Sequence, residues 1–136
     1  MKKNYTAFIV EDDKIASSII KKVMKSNNSF SSCKFYLNGL IALDCLKALN
    51  SEDDILPSFI LLDFIMPVMN GLEFLENIKY LEGINKIPIF MNSSSTELDE
   101  YQNFYNYENV KGSFSKPFMA QNLNAILEFI EGNRVE

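Results

Sequence analysis

The chain contains no histidine. That absence excludes a Ser-His-Asp triad, a histidine-based zinc centre and a phosphohistidine carrier within it. Chemistry here must therefore use carboxylates, hydroxyls, lysine or a hard metal ion. Cysteine is scarce too. Cys33 and Cys45 fall in segments that read as a strand and an amphipathic helix, and the expectation is two reduced core thiols of a cytoplasmic protein. No apolar run approaches the ~20 residues of a membrane span. The start, Met1 to Tyr5, lacks the pattern of a signal peptide, so no membrane partner is expected. Positive charge is in the minority: 13 Lys and Arg against 18 Asp and Glu leave a net charge of −5. Nucleic-acid phosphates are held mainly by clustered basic residues, so nucleic acid is not expected as a partner. Repeats, linkers and low-complexity stretches are also missing. At 136 residues, 47% hydrophobic and 23% charged, the sequence reads as one globular domain over residues 1–136.

What is present is alternation. Thr6 to Val10 is a short β-branched and apolar run that stops at Glu11-Asp12-Asp13. Ile15, Ala16, Ile19, Ile20, Val23 and Met24 then recur at helical spacing, with lysines opposite. Cys33 to Leu37 reads as a second strand, and Leu40, Leu43, Leu46 and Leu49 mark a second helix after the Asn38-Gly39 turn. Phe59 to Leu62 is the most apolar strand and runs directly into Asp63. Leu72, Leu75 and Ile78 follow on a third helix, and Ile87 to Met91 predicts a fourth strand ahead of Ser93. Glu97 to Tyr107 predicts a weak helix with Tyr101, Phe104 and Tyr105 on one side. Gly112 to Ser115 is a fifth strand ending at Lys116-Pro117, and Leu123, Ile126, Leu127 and Ile130 form the last helix. Five strand and helix alternations imply an α/β fold, a mostly parallel sheet covered on both faces.

In an open parallel sheet, ligands bind beyond the carboxyl ends of the strands. Those ends carry Glu11, Asp12 and Asp13, then Asp63, Ser93 and Lys116. Crowded carboxylates repel, and a divalent cation relieves the repulsion. Mg²⁺ suits such a site because it takes oxygen ligands and uses one or two carboxylates plus waters and phosphate oxygens. Lysine can neutralise phosphoryl oxygens as a point charge, serine can hydrogen-bond one, and an aspartate in line with a phosphoryl group is a competent nucleophile.

Taken together, these residues resemble the receiver domain of two-component response regulators, from about Thr6 to Ile130. Leu61-Leu62-Asp63-Phe64-Ile65-Met66-Pro67-Val68-Met69-Asn70-Gly71 and Ser115-Lys116-Pro117-Phe118 carry the likeness, and thirty residues separate Asp63 from Ser93 as in that family. The resemblance implies a flavodoxin-like, doubly wound, five-stranded parallel sheet of order 2-1-3-4-5 with five helices. It implies Asp63 as phosphoacceptor with Ser93 and Lys116 assisting. The Mg²⁺ ligands would be Glu11, Asp12, Asp63 and the backbone carbonyl of Ile65, and Lys116-Pro117 would be a cis peptide. A histidine kinase or phosphotransfer protein would be the donor, and a downstream protein would be met through the face between the fourth and fifth helices. The implied protein is a stand-alone, cytoplasmic response regulator and not an enzyme. Two departures stand out. Ser113 occupies the place of an aromatic that switches rotamer in relatives, with Phe114 beside it expected in the core, and the segment 96–110 is rich in Tyr and Asn.

Plainer readings accompany each residue. Glu11 to Asp13 can be an acidic helix start, with Asp13 the cap. Asp63 can open an Asx turn, Ser93 can be a loop hydroxyl, Ser94 to Thr96 can cap the next helix, and Lys116 can be a surface lysine. Their joint placement at one rim favours the functional reading. Two other functions fit the strand ends: an aspartate-nucleophile phosphohydrolase, and a receiver-like adaptor that is never phosphorylated. The hydrolase usually needs a second acid two residues after the nucleophile, where this chain has Ile65.

Overall fold

A central sheet of five parallel strands runs in the order β2-β1-β3-β4-β5. Its strands are β1 (Tyr5–Val10), β2 (Phe30–Tyr36), β3 (Phe59–Leu62), β4 (Ile89–Ser93) and β5 (Val110–Ser115). The helices are α1 (Lys14–Lys25), α2 (Gly39–Lys47), α3 (Gly71–Ile78), α4 (Ser95–Glu100) and α5 (Ala120–Gly132). Short 3-10 turns, Ile84–Lys86 and Gln102–Asn106, precede β4 and β5. This is a computed structural model that describes residues 4–49, 54–100 and 102–132. The expected fold and strand order are those observed; Tyr101 and the 51–53 part of the connection before β3 lie outside the described residues.

β3 explains the two-faced core. All four of its side chains are buried, as a central parallel strand demands, and they alternate between faces. Phe59 and Leu61 pack with Ile20 and Met24 of α1 and with Leu123, Ile126 and Leu127 of α5. Ile60 and Leu62 pack with Ala42, Leu43 and Leu46 of α2 and with Phe74, Leu75 and Ile78 of α3. Burying each such side chain is worth about 1.5–3 kcal/mol, so β3 anchors both layers. Cys33 packs against the first cluster and Cys45 against the second, on opposite faces of the sheet, and both are free thiols.

Side-chain caps begin the helices where polar residues punctuate the sequence. Asp13 caps α1 by accepting from the Ile15 N–H at 2.8 Å, and Asn38 caps α2. Asn70 and Glu73 form a reciprocal capping box at α3, and Ser94 and Glu97 exchange bonds in the same way at α4.

The predicted helix over 97–107 is the main difference. α4 is six residues long with no buried side chain, and the described part of the remainder is the 3-10 turn. An apolar stripe at helical spacing is what would have held a longer helix to the sheet. The aromatic side predicted there divides: Phe104 is fully buried 6.2 Å from the Phe64 ring, whereas Tyr105 is exposed. Phe114 is in the core, stacked on Phe90 at 5.9 Å.

The loop from β3 to α3 carries one backbone anomaly. Val68, exposed, has φ of 71°, in the left-handed region where a β-branched residue is a genuine outlier. Val68→Gly is therefore expected to raise stability by about 0.5–1 kcal/mol, the steric relief exceeding glycine's entropy cost. A urea midpoint no higher than that of the wild type would contradict this.

Candidate phosphoacceptor site

Sheet hydrogen bonding continues past the strand ends and sets the site. Val10 pairs with Leu62, so the next residues, Glu11 and Asp63, lie side by side. Asp63 N–H donates to the Val10 carbonyl at 3.0 Å, and Glu11 N–H to the Tyr36 carbonyl at 3.0 Å. Lys116 N–H donates to the Ser93 carbonyl at 2.9 Å. Ser93 is the last residue of β4, two beyond the predicted strand end, because β5 pairs with it through Ser115.

Asp63 is only 4% exposed, and both of its oxygens are engaged. Oδ1 accepts from the Phe64 N–H at 2.8 Å and from the Ser93 hydroxyl at 3.0 Å; Oδ2 accepts from Lys116 Nζ at 3.2 Å. The Ser93 hydroxyl also accepts from Phe64 N–H at 2.9 Å. Lys116 bridges to Glu11, with Nζ 3.0 Å from Oε1 and 3.2 Å from Oε2. The Lys116-Pro117 peptide is cis, as the resemblance implied. Phe64, whose amide holds both Asp63 and Ser93, has its ring against Phe104, so the loop after Asp63 is packed onto the segment before β5.

The charge balance is unfavourable without a metal. Glu11 is 2% exposed. Burial first, then the neighbouring Asp63 carboxylate, push its carboxyl up to about 8 despite Lys116. Burial pulls the Lys116 ammonium down, but Asp63 and Glu11 outweigh this and hold it above its ordinary value. Glu11 Oε1 is buried and lacks an aligned hydrogen bond although the ammonium is near. Oxygens of Glu11, Asp12 and Asp63 all lie within 4.8 Å of one another, and Asp12 reaches solvent. A hard divalent cation fits this all-oxygen donor set with its orphaned atom. Asp13, by contrast, turns away to cap α1. Ile65 follows Asp63 in the loop with its side chain half exposed.

In the sequence, Asn70-Gly71 stands only as the end of the motif that carries the likeness, with no role of its own. A Cβ on Gly71 would lie 2.7 Å from the Asp63 carbonyl oxygen and 3.0 Å from Phe64 Cα, while Gly71 N–H bonds the Phe64 carbonyl at 2.6 Å. Gly71 thus clamps the loop after Asp63 to α3, and only a contact between loop ends reveals it. At Ser113, where the resemblance implied an aromatic, the hydroxyl shares a 2.6 Å hydrogen bond with the Tyr105 phenol. An aromatic from the preceding turn therefore reaches that position.

The fold and the acidic, lysine-bridged rim define a receiver. The chain belongs to the response regulator receiver domain family, whose model matches residues 7–128. That family generally binds Mg²⁺ at an acidic pocket, here the cluster of Glu11, Asp12 and Asp63. The chain is 26% identical over 127 residues to the probable methanogenesis regulatory protein FilR2 of Methanothrix harundinacea, covering 93% of this chain and 81% of that one. It is 27% identical over 130 residues to the chemotaxis protein CheY-3 of Vibrio cholerae, covering 96% and 94%. A two-component response regulator from Cytophaga hutchinsonii has the same fold at a TM-score of 0.85 with 22% identity, covering 97% of this chain and all of that one. Among curated relatives the chain spans between 19% and 94% of their length.

Proposed function

We propose that this chain is a response regulator that accepts a phosphoryl group on Asp63 from a histidine kinase or phosphotransfer protein and signals by protein contact. The observation that carries the reading is a buried carboxylate held between the Lys116 ammonium and the Ser93 hydroxyl, beside two further carboxylates. An Asp63 oxygen attacks phosphorus, the P–O bond forms, and the P–N bond to the donor imidazole breaks, leaving that ring to take up a proton. Lys116 and Ser93, which bond the Asp63 carboxylate before transfer, then donate to oxygens of the phosphoryl group, which stabilises the transferred charge. Glu11, Asp12, Asp63 and the Ile65 carbonyl are the residues to hold Mg²⁺. When bound, the ion neutralises the phosphoryl oxygens and the crowded carboxylates. The downstream protein is read by the face from α4 to α5, in the cytoplasm, and the chain turns over no separate substrate.

Intact mass tests this after incubation with Mg²⁺ and acetyl phosphate. One alkali-labile phosphoryl adduct per chain is expected on the wild type and none on Asp63→Asn. An adduct that persists in Asp63→Asn, or none on the wild type, would refute the reading. Sustained hydrolysis of unrelated phosphoesters would replace it with a phosphohydrolase.

A further inference from the structure

The net charge of −5 conceals an uneven distribution. Residues 14–43 contain five lysines and no acid, which leaves eight basic and eighteen acidic residues in the rest of the chain. The basic segment comprises α1, β2 and the first half of α2. Lys14, Lys21 and Lys25 follow one another at seven- and four-residue intervals and so share one flank of α1. That flank faces β2, because Lys21 Nζ lies 5.0 Å from the centroid of the Phe35 ring. Ile15 and Ile19 line the other flank, toward the start of α5. All five lysines, Lys22 and Lys34 included, are exposed, and none of them forms an ion pair among the described residues.

Between this flank and β2 runs a groove of about 580 Å³ lined by Lys21, Lys25, Phe30, Cys33 and Phe35, and a hollow of about 320 Å³ continues it past Lys14. β2 is the outer strand of the sheet. Its Tyr36 carbonyl faces β1, where it accepts from the Glu11 N–H. Backbone direction alternates along a strand, so Ser32 and Lys34 also turn their polar groups to β1. Cys33 and Phe35 therefore each turn one N–H and one C=O outward. Among the described residues no strand pairs with that edge. Over its seven residues β2 offers an edge about 20 Å long.

We infer that an extended acidic segment of a partner protein adds to the outer edge of β2 as a sixth strand, its backbone bonded to Cys33 and Phe35 and its carboxylates on Lys21 and Lys25. Such strand addition takes affinity from main-chain bonds and selectivity from the flanking side chains. Charge complementarity names the occupant. Edge-to-edge pairing of two copies would set the lysines of one β2 edge against those of the other, and like charges placed opposite are destabilising. Phosphates of nucleic acid or lipid suit the lysines but only accept hydrogen bonds, whereas a peptide backbone matches the outward N–H and C=O alike. Lysines along a bare edge repel unwanted strands, and an acidic strand is the kind they admit. Lys21, Lys25 and Cys33 lie outside the Asp63 cluster, so the inference does not rest on the phosphoacceptor reading.

The probe is a capped octapeptide alternating glutamate and valine, titrated into the ¹⁵N-labelled full chain. Saturable shifts are expected at Lys21, Lys25 and from Ser31 to Phe35, and amide exchange at Cys33 and Phe35 should slow about tenfold or more at saturation. Lys21→Glu combined with Lys25→Glu, both at exposed positions, should weaken binding about tenfold. The same peptide N-methylated at every amide keeps its carboxylates but cannot pair as a strand, and its binding should be lost. Retained binding of the N-methylated peptide overturns the inference, because the contact is then one of charge alone. Equal affinity for the lysine–valine counterpart overturns it too, as does an affinity unchanged in the double variant. Shifts without added protection at Cys33 and Phe35 have the same consequence. Tighter binding of a thymidine octanucleotide would assign the surface to nucleic acid instead, and tighter binding of phosphatidylserine vesicles would assign it to membrane. No binding at all would leave the lysines as protection of a bare edge.

Discussion

Gly71→Ala is expected to cost about 2–3 kcal/mol of stability and to slow acyl-phosphate formation at Asp63 about 100-fold. The new methyl would sit 2.7 Å from the Asp63 carbonyl oxygen and 3.0 Å from Phe64 Cα, both backbone atoms with no flexible end to swing aside. Relief requires the loop and α3 to separate, which stretches the 2.6 Å bond from Gly71 N–H to the Phe64 carbonyl. That movement displaces the Phe64 amide, and with it the donor shared by Asp63 and Ser93. Gly39→Ala is the control. Its Cβ would meet the Met69 carbonyl at 3.1 Å and a flexible Met69 side chain at 3.2 Å, so a milder cost is expected. Urea unfolding and the time course of the mass adduct measure both effects. A Gly71→Ala protein within about 0.5 kcal/mol of wild type, phosphorylated at the normal rate, would show that the clamp yields.

The second large effect is the response to Mg²⁺ and pH. The Glu11 carboxyl rises from 4.5 to about 8 on folding, chiefly through burial and then through Asp63. The sign follows from linkage. With the folded value above the unfolded one, the native state binds the extra proton, so ionised Glu11 opposes folding. The penalty is absent below about 4.5, grows as pH rises, and is complete above about 8. Without metal, Glu11→Gln should therefore gain on the wild type through this window, reaching an advantage on the order of a few kcal/mol at its upper end. Saturating Mg²⁺ should reverse the order, because the cation replaces the proton between Glu11, Asp12 and Asp63. The wild-type melting temperature should respond more to Mg²⁺ near pH ~8.5 than near pH ~6, and Glu11→Gln should respond little at either. A Mg²⁺ shift independent of pH, or equal in the two proteins, would show that Glu11 does not exchange a proton for the ion.

Much of this was legible before any coordinates. The run Phe59 to Leu62 has the composition of a buried central strand, and an acid abutting it places Asp63 at the sheet's carboxyl edge. Asp13 as a cap and Phe114 as a core residue also followed from local rules of helix starts and strand alternation. The segment 97–107 did not, because its aromatic spacing allowed one continuous helix, whereas α4 buries no side chain and Phe104 reaches the core from a 3-10 turn. Local pattern states a preference, and tertiary packing decides whether it is realised.

The sequence by itself determined the order of strands and helices and the residue types at the strand ends. Those features depend on neighbours a few positions apart, through apolar period and capping chemistry. Only the tertiary structure decided how far each group is buried and what faces it. Glu11 pressed against Asp63, Gly71 against the Asp63 carbonyl and Tyr105 on Ser113 are relations between separate elements. Desolvation and contact distance, which set their energies, exist only once the chain has closed around them.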